Sequence, residues 1–458
     1  MRVPAIDLKL GMGTYATKTA GIGGLIRRAI DDFLVEEVLV DGSKAGIEKS
    51  GGCKVMGASD KPQNYLLCVL MKRRWDTFVA IKNIAAQLGI DQTLIHIAGI
   101  KDAKAITAQH ITIENVTIEE AERINIKDIE VRPVGYFRDE LSQFYLLGNR
   151  FTITITAVKH PESTIREHLT KTMLEFEAAG GTANFFGHQR FGTTRAITHL
   201  VGKAIVNDDF KKAAMLFLAN PSPNEHPDSR RARQELQSNQ DFTEALKSYP
   251  RQLRFERLML RHLAEKPDDF VGTFRELPFK LQMLFVQAYQ SYLFNRFLSE
   301  RLANGFSLNS AEVGDYVVSV ERSGLPMNKT GKLAEASSLA EINESIKTGR
   351  VRVALPLVGF GQRLSEGEMG RIESRILEEE CVKREAFKVQ KIPRISGKGE
   401  LRSVVSPIRD FKRECISHDE ESIRERKIRI SFMLLRGSYA TMLLREIMKP
   451  SDPIAAGF

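Results

Sequence analysis

The stretch "KIRISFMLLRGSYATMLLREIM" (Lys427–Met448) indicates how the whole chain is organised. It begins as a strand near Ile428 and breaks at Gly437, and Ser438 is well placed to cap a helix that follows. One strand and one helix are too little to fold alone. We therefore expect them to complete a domain whose first part lies much earlier in the chain.

The first 200 residues have the same strand-rich character. Apolar and β-branched residues, with period-two alternation in the later segments, predict four strands, at residues 31–40, 64–73, 109–118 and 149–158. Helical spacing predicts one helix that stops at Gly89 and another that ends at Gly180. This mixture shows no regular βαβ alternation, so an α+β domain with a mixed or antiparallel sheet is expected.

The middle of the chain reads differently, because helical spacing dominates there. A polar loop is predicted at residues 219–231, the longest helix at residues 281–302, and short strands at residues 313–320 and 350–359. The predicted fold is therefore an α+β domain made of residues 1–198 plus 402–458. A mostly helical α/β insertion, residues 199–401, interrupts it.

Composition and charge narrow the function. The chain has 458 residues, 42% of them hydrophobic and 27% charged, which is typical of a globular protein. Its net charge is +9, and residues 383–430 hold 14 basic against 8 acidic side chains. Such a stretch suits a polyphosphate partner such as RNA or DNA, although charge alone equally allows a solvated mixed-charge surface.

Several classes of site are not indicated. Four scattered cysteines, Cys53, Cys68, Cys381 and Cys415, form no C-x-x-C pair, so we expect no zinc site or disulfide framework and a reducing cytosol. No apolar run predicts export or a membrane span. Motifs of phosphate-binding loops, zinc proteases and serine hydrolases are also missing from the sequence.

Two compact motifs carry chemical side chains. "AGIKDAKAITAQ" (Ala98–Gln109) places Asp102 in a short polar break between apolar runs, which an ordinary surface turn would also explain. "NFFGHQRFG" (Asn184–Gly192) combines aromatic rings with amide and guanidinium groups, as an unstacked base requires. Its alternative is a packed turn whose phenylalanines belong to the core.

These two motifs, with "GSYATMLLRE" (Gly437–Glu446) and "DDFLVEE" (Asp31–Glu37), resemble the TruD family of pseudouridine synthases, which isomerise uridine in tRNA. Within the insertion the best match is "YQSYLFNRFLSERL" (Tyr289–Leu302). The resemblance implies a catalytic domain with an inserted second domain and uridine 13 of tRNA as the target. It also implies a cytoplasmic enzyme, expected to be a monomer, that needs no metal or organic cofactor.

The resemblance assigns the chemistry to Asp102, which matches the family's catalytic aspartate. The carboxylate would attack ribose C1′, assist formation of a glycal-like intermediate, or attack C6 of the base, and the sequence leaves these routes open. Burial raises the pKa of a carboxyl group, and a neighbouring cation opposes that shift. Arg27 matches the family's basic partner and is our candidate, with Arg28 adjacent to it.

The resemblance also implies a substrate-binding set. Phe33, Asn184 and Tyr439 match positions that hold the target nucleotide. Phe186 is expected to stack on the flipped uracil, and Asn184 to bond a base edge or the ribose. Gln109 and Arg190 complete the set and are expected to brace the two motifs. Lys101 also belongs to it, although Lys101 and Lys104 could instead face outward to bind phosphates.

Two other functions compete with this interpretation. One is a non-catalytic tRNA-binding or folding protein with the same fold, which the presence of Asp102, Arg27 and Asn184 disfavours. The other is a base-modifying enzyme such as a methyltransferase. That enzyme would need a cofactor site, and no convincing glycine-rich strand-to-helix loop is present.

Overall fold

The structure is a computed structural model that describes residues 2–48, 55–419 and 422–458. The strands are β1 (Phe33–Leu39), β2 (Tyr65–Arg73), β3 (Ile95–Ile97), β4 (Ile106–Glu114), β5 (Ile129–Phe137), β6 (Leu146–Val158), β7 (Thr182–Ala183), β8 (Tyr316–Ser319), β9 (Lys332–Leu333), β10 (Val351–Leu357), β11 (Glu400–Ser403), β12 (Val405–Ser406), β13 (Ile408–Asp419) and β14 (Ser422–Leu435). The helices are α1 (Ala5–Lys9), α2 (Thr77–Leu88), α3 (Ile118–Glu122), α4 (Glu162–Ala179), α5 (Thr198–Val206), α6 (Phe210–Ala219), α7 (Pro227–Asn239), α8 (Phe242–Ser248), α9 (Arg254–Glu265), α10 (Phe270–Arg275), α11 (Phe279–Ala303), α12 (Leu339–Lys347), α13 (Gly367–Glu379) and α14 (Ala440–Met448).

The main sheet joins both ends of the chain. Its strand order is β13-β14-β6-β1-β4-β2-β5, and β3 pairs with β4 beside β1. Strands β1 and β4 run parallel and the other described pairs are antiparallel, so the sheet is mixed, as the sequence predicted. Strand β14 lies directly against β6, with Ile430 opposite Ile153. The late strand therefore completes an early sheet, which confirms the expected α+β arrangement.

One face of this sheet packs against two helices. The side chains of Ile153, Ile430 and Phe432 are fully buried, and they share a core with Phe176 of α4 and Leu443 of α14. Alternating residues of β6 and β14 supply this face, which explains the period-two pattern that predicted a strand at residues 149–158. The packing fixes α14, and with it the residues just before that helix, relative to the sheet.

The middle of the chain forms helices α5 to α13 and a second sheet with the order β11-β10-β8-β9. Helix α11 is its central element, with Phe285, Phe294 and Leu298 fully buried. Helix α5 crosses α11 closely, because a Cβ atom at Gly202 would lie 1.9 Å from the carbonyl oxygen of Phe285. Only glycine permits this approach.

The chain passes into and out of this middle part at one place. Strand β7 pairs with β12, and the Asn184 N–H donates to the carbonyl of Val404 at 2.9 Å. Adjacent entry and exit are what an inserted segment requires. The predicted boundaries fall near the start of α5 and within β11. The division into 1–198 plus 402–458 and 199–401 stays a prediction.

Three local predictions are wrong. The strand expected at residues 109–118 ends at Glu114, because Thr117 forms a capping box with Glu120 and starts α3. The loop expected at 219–231 ends early, since α7 begins at Pro227, whose ring suits the first turn of a helix. Ser438 does not cap α14: its hydroxyl instead accepts a hydrogen bond from Ser406 at 2.6 Å, and Tyr439 occupies the cap position.

Two sequence-level expectations concern cysteines and membranes. Cys68, Cys381 and Cys415 are free thiols, whereas Cys53 lies outside the described residues. In the described part of the chain, no helix combines the length and the apolar content that crossing a membrane requires.

Candidate active site

Asp102 lies in the loop between β3 and β4, at a cavity of about 120 Å³. The carboxylate is partly open, with 33% of its side chain exposed. The cavity is also lined by four other residues that the sequence predicted for the site: Arg27, Phe33, Lys101 and Tyr439. Folding thus gathers side chains separated by more than 400 positions around one carboxylate.

Arg27 forms the ion pair expected with Asp102. Its Nη2 lies 2.8 Å from Asp102 Oδ2, its Nη1 donates to the Gly457 carbonyl at 3.0 Å, and its Cζ stands 4.0 Å from the centre of the Phe33 ring. The backbone of Arg27 has φ +59°, a left-handed conformation that is uncommon outside glycine. Such strain persists where surrounding structure imposes it, commonly at functional sites.

A buried lysine that the sequence analysis overlooked forms hydrogen bonds to the backbone of the Asp102 loop. Lys72 of β2 is fully buried, and its Nζ donates to the carbonyls of Trp75 at 2.7 Å, Lys101 at 3.3 Å and Asp102 at 3.1 Å. Burial lowers the pKa of Lys72 to about 8, and the negative charge of Asp102 opposes that shift. The ammonium group therefore fixes the backbone on which the carboxylate is mounted.

Gln109 and Lys101 also hold this loop from the inside. Gln109 of β4 is fully buried and donates to the Gly99 carbonyl at 3.0 Å, as a brace would, and it does not line the cavity. Lys101 is buried, with its Nζ 3.5 Å from Glu37 Oε2. Burial raises the pKa of Glu37, and Lys101 opposes the rise. The outward-facing alternative for Lys101 is therefore wrong, whereas Lys104 is exposed.

The motif "NFFGHQRFG" approaches Asp102 through a residue that we did not single out. Gln189 lines the cavity, and its Nε2 lies 3.4 Å from Asp102 Oδ1. The preceding His188 is buried and bonded to Asp7 through Nε2 at 2.7 Å. Asn295 of α11 secures the start of the loop, accepting from the Phe186 N–H at 2.8 Å and donating to its carbonyl at 3.0 Å.

Three predicted residues of this motif lie outside the Asp102 cavity. The chain itself satisfies the Asn184 amide, which donates to the Ser403 carbonyl at 2.9 Å and accepts from Arg402 at 2.7 Å. Phe186 and Arg190 line a neighbouring cavity of about 420 Å³. Tyr439 connects the two places, because it lines the first cavity and its ring contacts Phe186 edge to face at 6.2 Å.

Asn149 of β6 is a second residue that the sequence analysis overlooked. It lines the Asp102 cavity, and its Oδ1 is sealed from solvent without a hydrogen-bond partner in the described chain. A buried amide oxygen left unpaired costs about 1–3 kcal/mol. In the sequence, the only sign that Asn149 could belong to a site is its position as a polar residue between Gly148 and the alternating residues of a predicted strand.

The site offers no metal-binding arrangement among the residues described. No three His, Cys, Asp or Glu side chains stand close enough together there to share an ion. The polar groups at the cavity are instead one carboxylate, one guanidinium, one ammonium, two amides and hydroxyls, which suit binding of a polar organic group.

Comparisons with known proteins agree on one family. Residues 9–447 match the family model of tRNA pseudouridine synthase D (TruD). The chain is 40% identical over 454 residues to the "Probable tRNA pseudouridine synthase D" of Methanosarcina acetivorans and 39% identical over 454 residues to that of Methanosarcina barkeri, covering 99% of each chain in both cases. A crystal structure from Methanosarcina mazei, described under the name tRNA pseudouridine synthase D (TruD), superposes with a TM-score of 0.83 at 38% identity, covering 99% of this chain and 100% of that one.

The buried Lys72 gives a prediction about pH. Its pKa is about 8 in the folded protein and about 10.4 in an unfolded chain. Between these values only the unfolded chain holds the proton, so this group makes the free energy of unfolding rise with pH, by at most about 1.4 kcal/mol per pH unit. Denaturant unfolding at about pH 7.5 and 9.5 should show the wild type gaining stability relative to Lys72→Met.

The exposed Lys104 in the same loop is the matched control, and Lys104→Met should not change the pH dependence. An identical difference in stability between wild type and Lys72→Met at both pH values would contradict the assignment.

Proposed function

The chain belongs to the TruD family of tRNA pseudouridine synthases, and we propose that it converts uridine 13 of tRNA to pseudouridine with Asp102 as its catalytic carboxylate. The observation that carries the proposal is the Arg27–Asp102 ion pair at the mouth of a cavity lined by aromatic and amide groups. Arg27 is then the cation that holds this carboxylate in its orientation.

The reaction is an isomerisation whose atoms balance within the substrate. The bond between uracil N1 and ribose C1′ breaks, the base turns, and C5 bonds to C1′ while the C5 proton leaves and N1 gains one. A carboxylate can attack C1′, assist a glycal-like intermediate, or attack C6. All three routes need an unprotonated Asp102 next to a nucleotide that has left its stack. The proposed enzyme accordingly uses no metal or organic cofactor.

The cavity suits an extruded uridine. Tyr439 and Phe151 supply aromatic walls, and Phe33 supports Arg27 from beneath. Aromatic contact returns part of the few kcal/mol that unstacking costs. In this pose Phe186 contacts the ring of Tyr439 and not the base. Asn184 does not contact the base either, since its amide is hydrogen-bonded to Arg402. Tyr439 thus keeps its proposed role at the nucleotide, Phe33 acts through Arg27, and Asn184 and Phe186 act through Tyr439.

The Asn149 amide is proposed to read the uracil edge. Its Oδ1 has no partner and is closed off from solvent in the described conformation, so the side chain would turn toward the cavity that it lines and accept from N3–H of uracil. Cytosine has an acceptor at N3, so the same oxygen would reject it. A polar group that is built to bond one partner discriminates strongly against an analogue that leaves it unpaired.

The wider proposal concerns tRNA. Basic residues of 383–430 form one wall for the RNA, so binding should weaken steeply as salt rises. A monomer in the cytoplasm is the simplest form for this activity. A non-catalytic tRNA-binding protein of the same fold is the competing function, and turnover separates the two.

The first prediction compares wild type with Asp102→Asn on an unmodified tRNA transcript. Replacement of the carboxylate should lower the rate of pseudouridine formation at uridine 13 by roughly a thousandfold or more, because every proposed route needs it. The affinity for tRNA should stay the same. Carbodiimide mapping by primer extension measures the product, and filter binding measures affinity.

Asp60→Asn, at an exposed aspartate, is the control and should retain full activity. Binding of tRNA by the wild type without any pseudouridine would contradict the proposal and favour the non-catalytic function.

A second prediction concerns Asn149→Ala. Loss of one hydrogen bond worth about 0.5–1.5 kcal/mol should lower kcat/KM roughly 3- to 10-fold for uridine 13. The discrimination against a tRNA with cytidine at position 13, measured as relative binding, should fall with it. Asn304→Ala, at an exposed residue after α11, should change neither quantity. Unchanged discrimination in Asn149→Ala would exclude Asn149 as the reader of the base edge.

A further inference from the structure

A second cavity, of about 420 Å³, lies beside the Asp102 cavity. Its walls come from α11 on one side and from the segment around residues 395–402 on the other. Phe186 lines this second cavity and Tyr439 lines the first, and their rings are in edge-to-face contact. The two cavities therefore share this pair of rings as a common wall.

Two guanidinium groups meet at the second cavity, where Glu400 also lines the wall and its charge acts on Arg402 without forming an ion pair. The Cζ atoms of Arg402 and Arg190 stand 4.0 Å and 5.7 Å from the centre of the Phe186 ring. No carboxylate of the described residues lies within ion-pair distance of either. Burial lowers the pKa of Arg402 to about 10 and lowers that of Arg190. Cations in such surroundings are normally paired with an anion.

Only some of the N–H donors of each guanidinium are hydrogen-bonded to neutral groups of the protein. Arg190 donates to Ser291 at 3.1 Å and to Gln287 at 3.3 Å, both through atoms other than Nη1. Arg402 donates through Nε and Nη2 to carbonyl oxygens of Asn184 and Gly437. Within the described chain, Nη1 of each arginine has no acceptor and is not sealed from solvent. Two charged donors are thus available at one cavity.

A third group points to the kind of anion. Asn328 also lines the cavity, and its Oδ1 is sealed without a donor among the described residues. Once its side chain turns toward the cavity, this oxygen can accept a hydrogen bond from a ribose 2′-hydroxyl. The cavity is larger than the Asp102 cavity, so it has room for a phosphate together with part of its sugar.

We propose that this second cavity binds the phosphodiester group of a nucleotide next to the target uridine, with Arg190 and Arg402 as its paired cations. The inference rests on the proposed function. The two cavities are separated only by the rings of Phe186 and Tyr439, so a uridine bound in the first cavity places its neighbouring phosphate at the second. Arg190 is then a substrate-binding residue as well as a brace of its motif.

Neutral methylphosphonate linkages test the proposal. A set of tRNAs is prepared in which each molecule carries a single methylphosphonate linkage at one of the phosphates flanking uridine 13. The binding constant of each tRNA is then measured at several salt concentrations for wild type and for Arg190→Gln. For wild type, one linkage should weaken binding and reduce the slope of log K against log salt by roughly 0.7. In Arg190→Gln the same linkage should weaken binding less than it does in wild type, because only Arg402 is left to meet the phosphate charge.

Two variants separate charge from structure. Arg190→Lys should restore both the salt slope and the sensitivity to that linkage. Arg371→Gln, at an exposed arginine of α13, should leave both as in wild type. Equal losses from every linkage in wild type and in Arg190→Gln would overturn the proposal. Competition by inorganic phosphate that depends on Arg190, without coupling to any linkage, would also overturn it and indicate a site for the free ion.

The outcome is separable from that of the main proposal. Pseudouridine formation at uridine 13 by the same wild-type protein tests the proposed function. If product forms and no linkage couples to Arg190, only the inference about the second cavity fails.

Discussion

The buried carboxylate of Asp7 joins three distant segments, two of which carry residues that line the Asp102 cavity. Asp7 is fully buried and accepts from His188 at 2.7 Å and from Arg445 at 2.5 Å. Burial alone would raise the pKa of Asp7, but His188 and Arg445 hold it below its ordinary value. Removing one partner from such a buried charge typically costs about 3–5 kcal/mol. Helix α1, the loop of Gln189 and helix α14 therefore keep fixed relative positions.

The placement of the candidate site follows from this cluster. His188 immediately precedes Gln189, and Arg445 lies on the helix that starts after Tyr439. The hydrogen bonds to Asp7 therefore fix the positions of Gln189 and Tyr439 at the cavity. On the opposite side Lys72 fixes the backbone of Asp102 and Arg27 fixes its carboxylate. The charged groups around the cavity are thus held in place by the fold itself, which is what electrostatic preorganisation requires.

Particular residues show what the sequence could and could not reveal. The Arg27–Asp102 pair was predictable because motif matches placed both side chains, although 74 residues lie between them. The partners of Asn184 were not, since a pattern shows that a buried amide needs partners and cannot show that Arg402 supplies them. Lys101 and Lys104 look alike in sequence, but only the buried Glu37 on a neighbouring strand turns Lys101 inward. Lys72 was detectable in principle, as a lysine within an otherwise apolar strand.

The central proposal is that a uridine enters the cavity next to Asp102. A crystal structure of the Asp102→Asn variant bound to an unmodified tRNA would test this most directly. In this complex uridine 13 should lie outside its stack, with ribose C1′ or the base at roughly 3.5 Å from the side chain of residue 102 and the uracil edge at Asn149. A complex in which uridine 13 stays stacked, or in which another part of the tRNA fills the cavity, would contradict it.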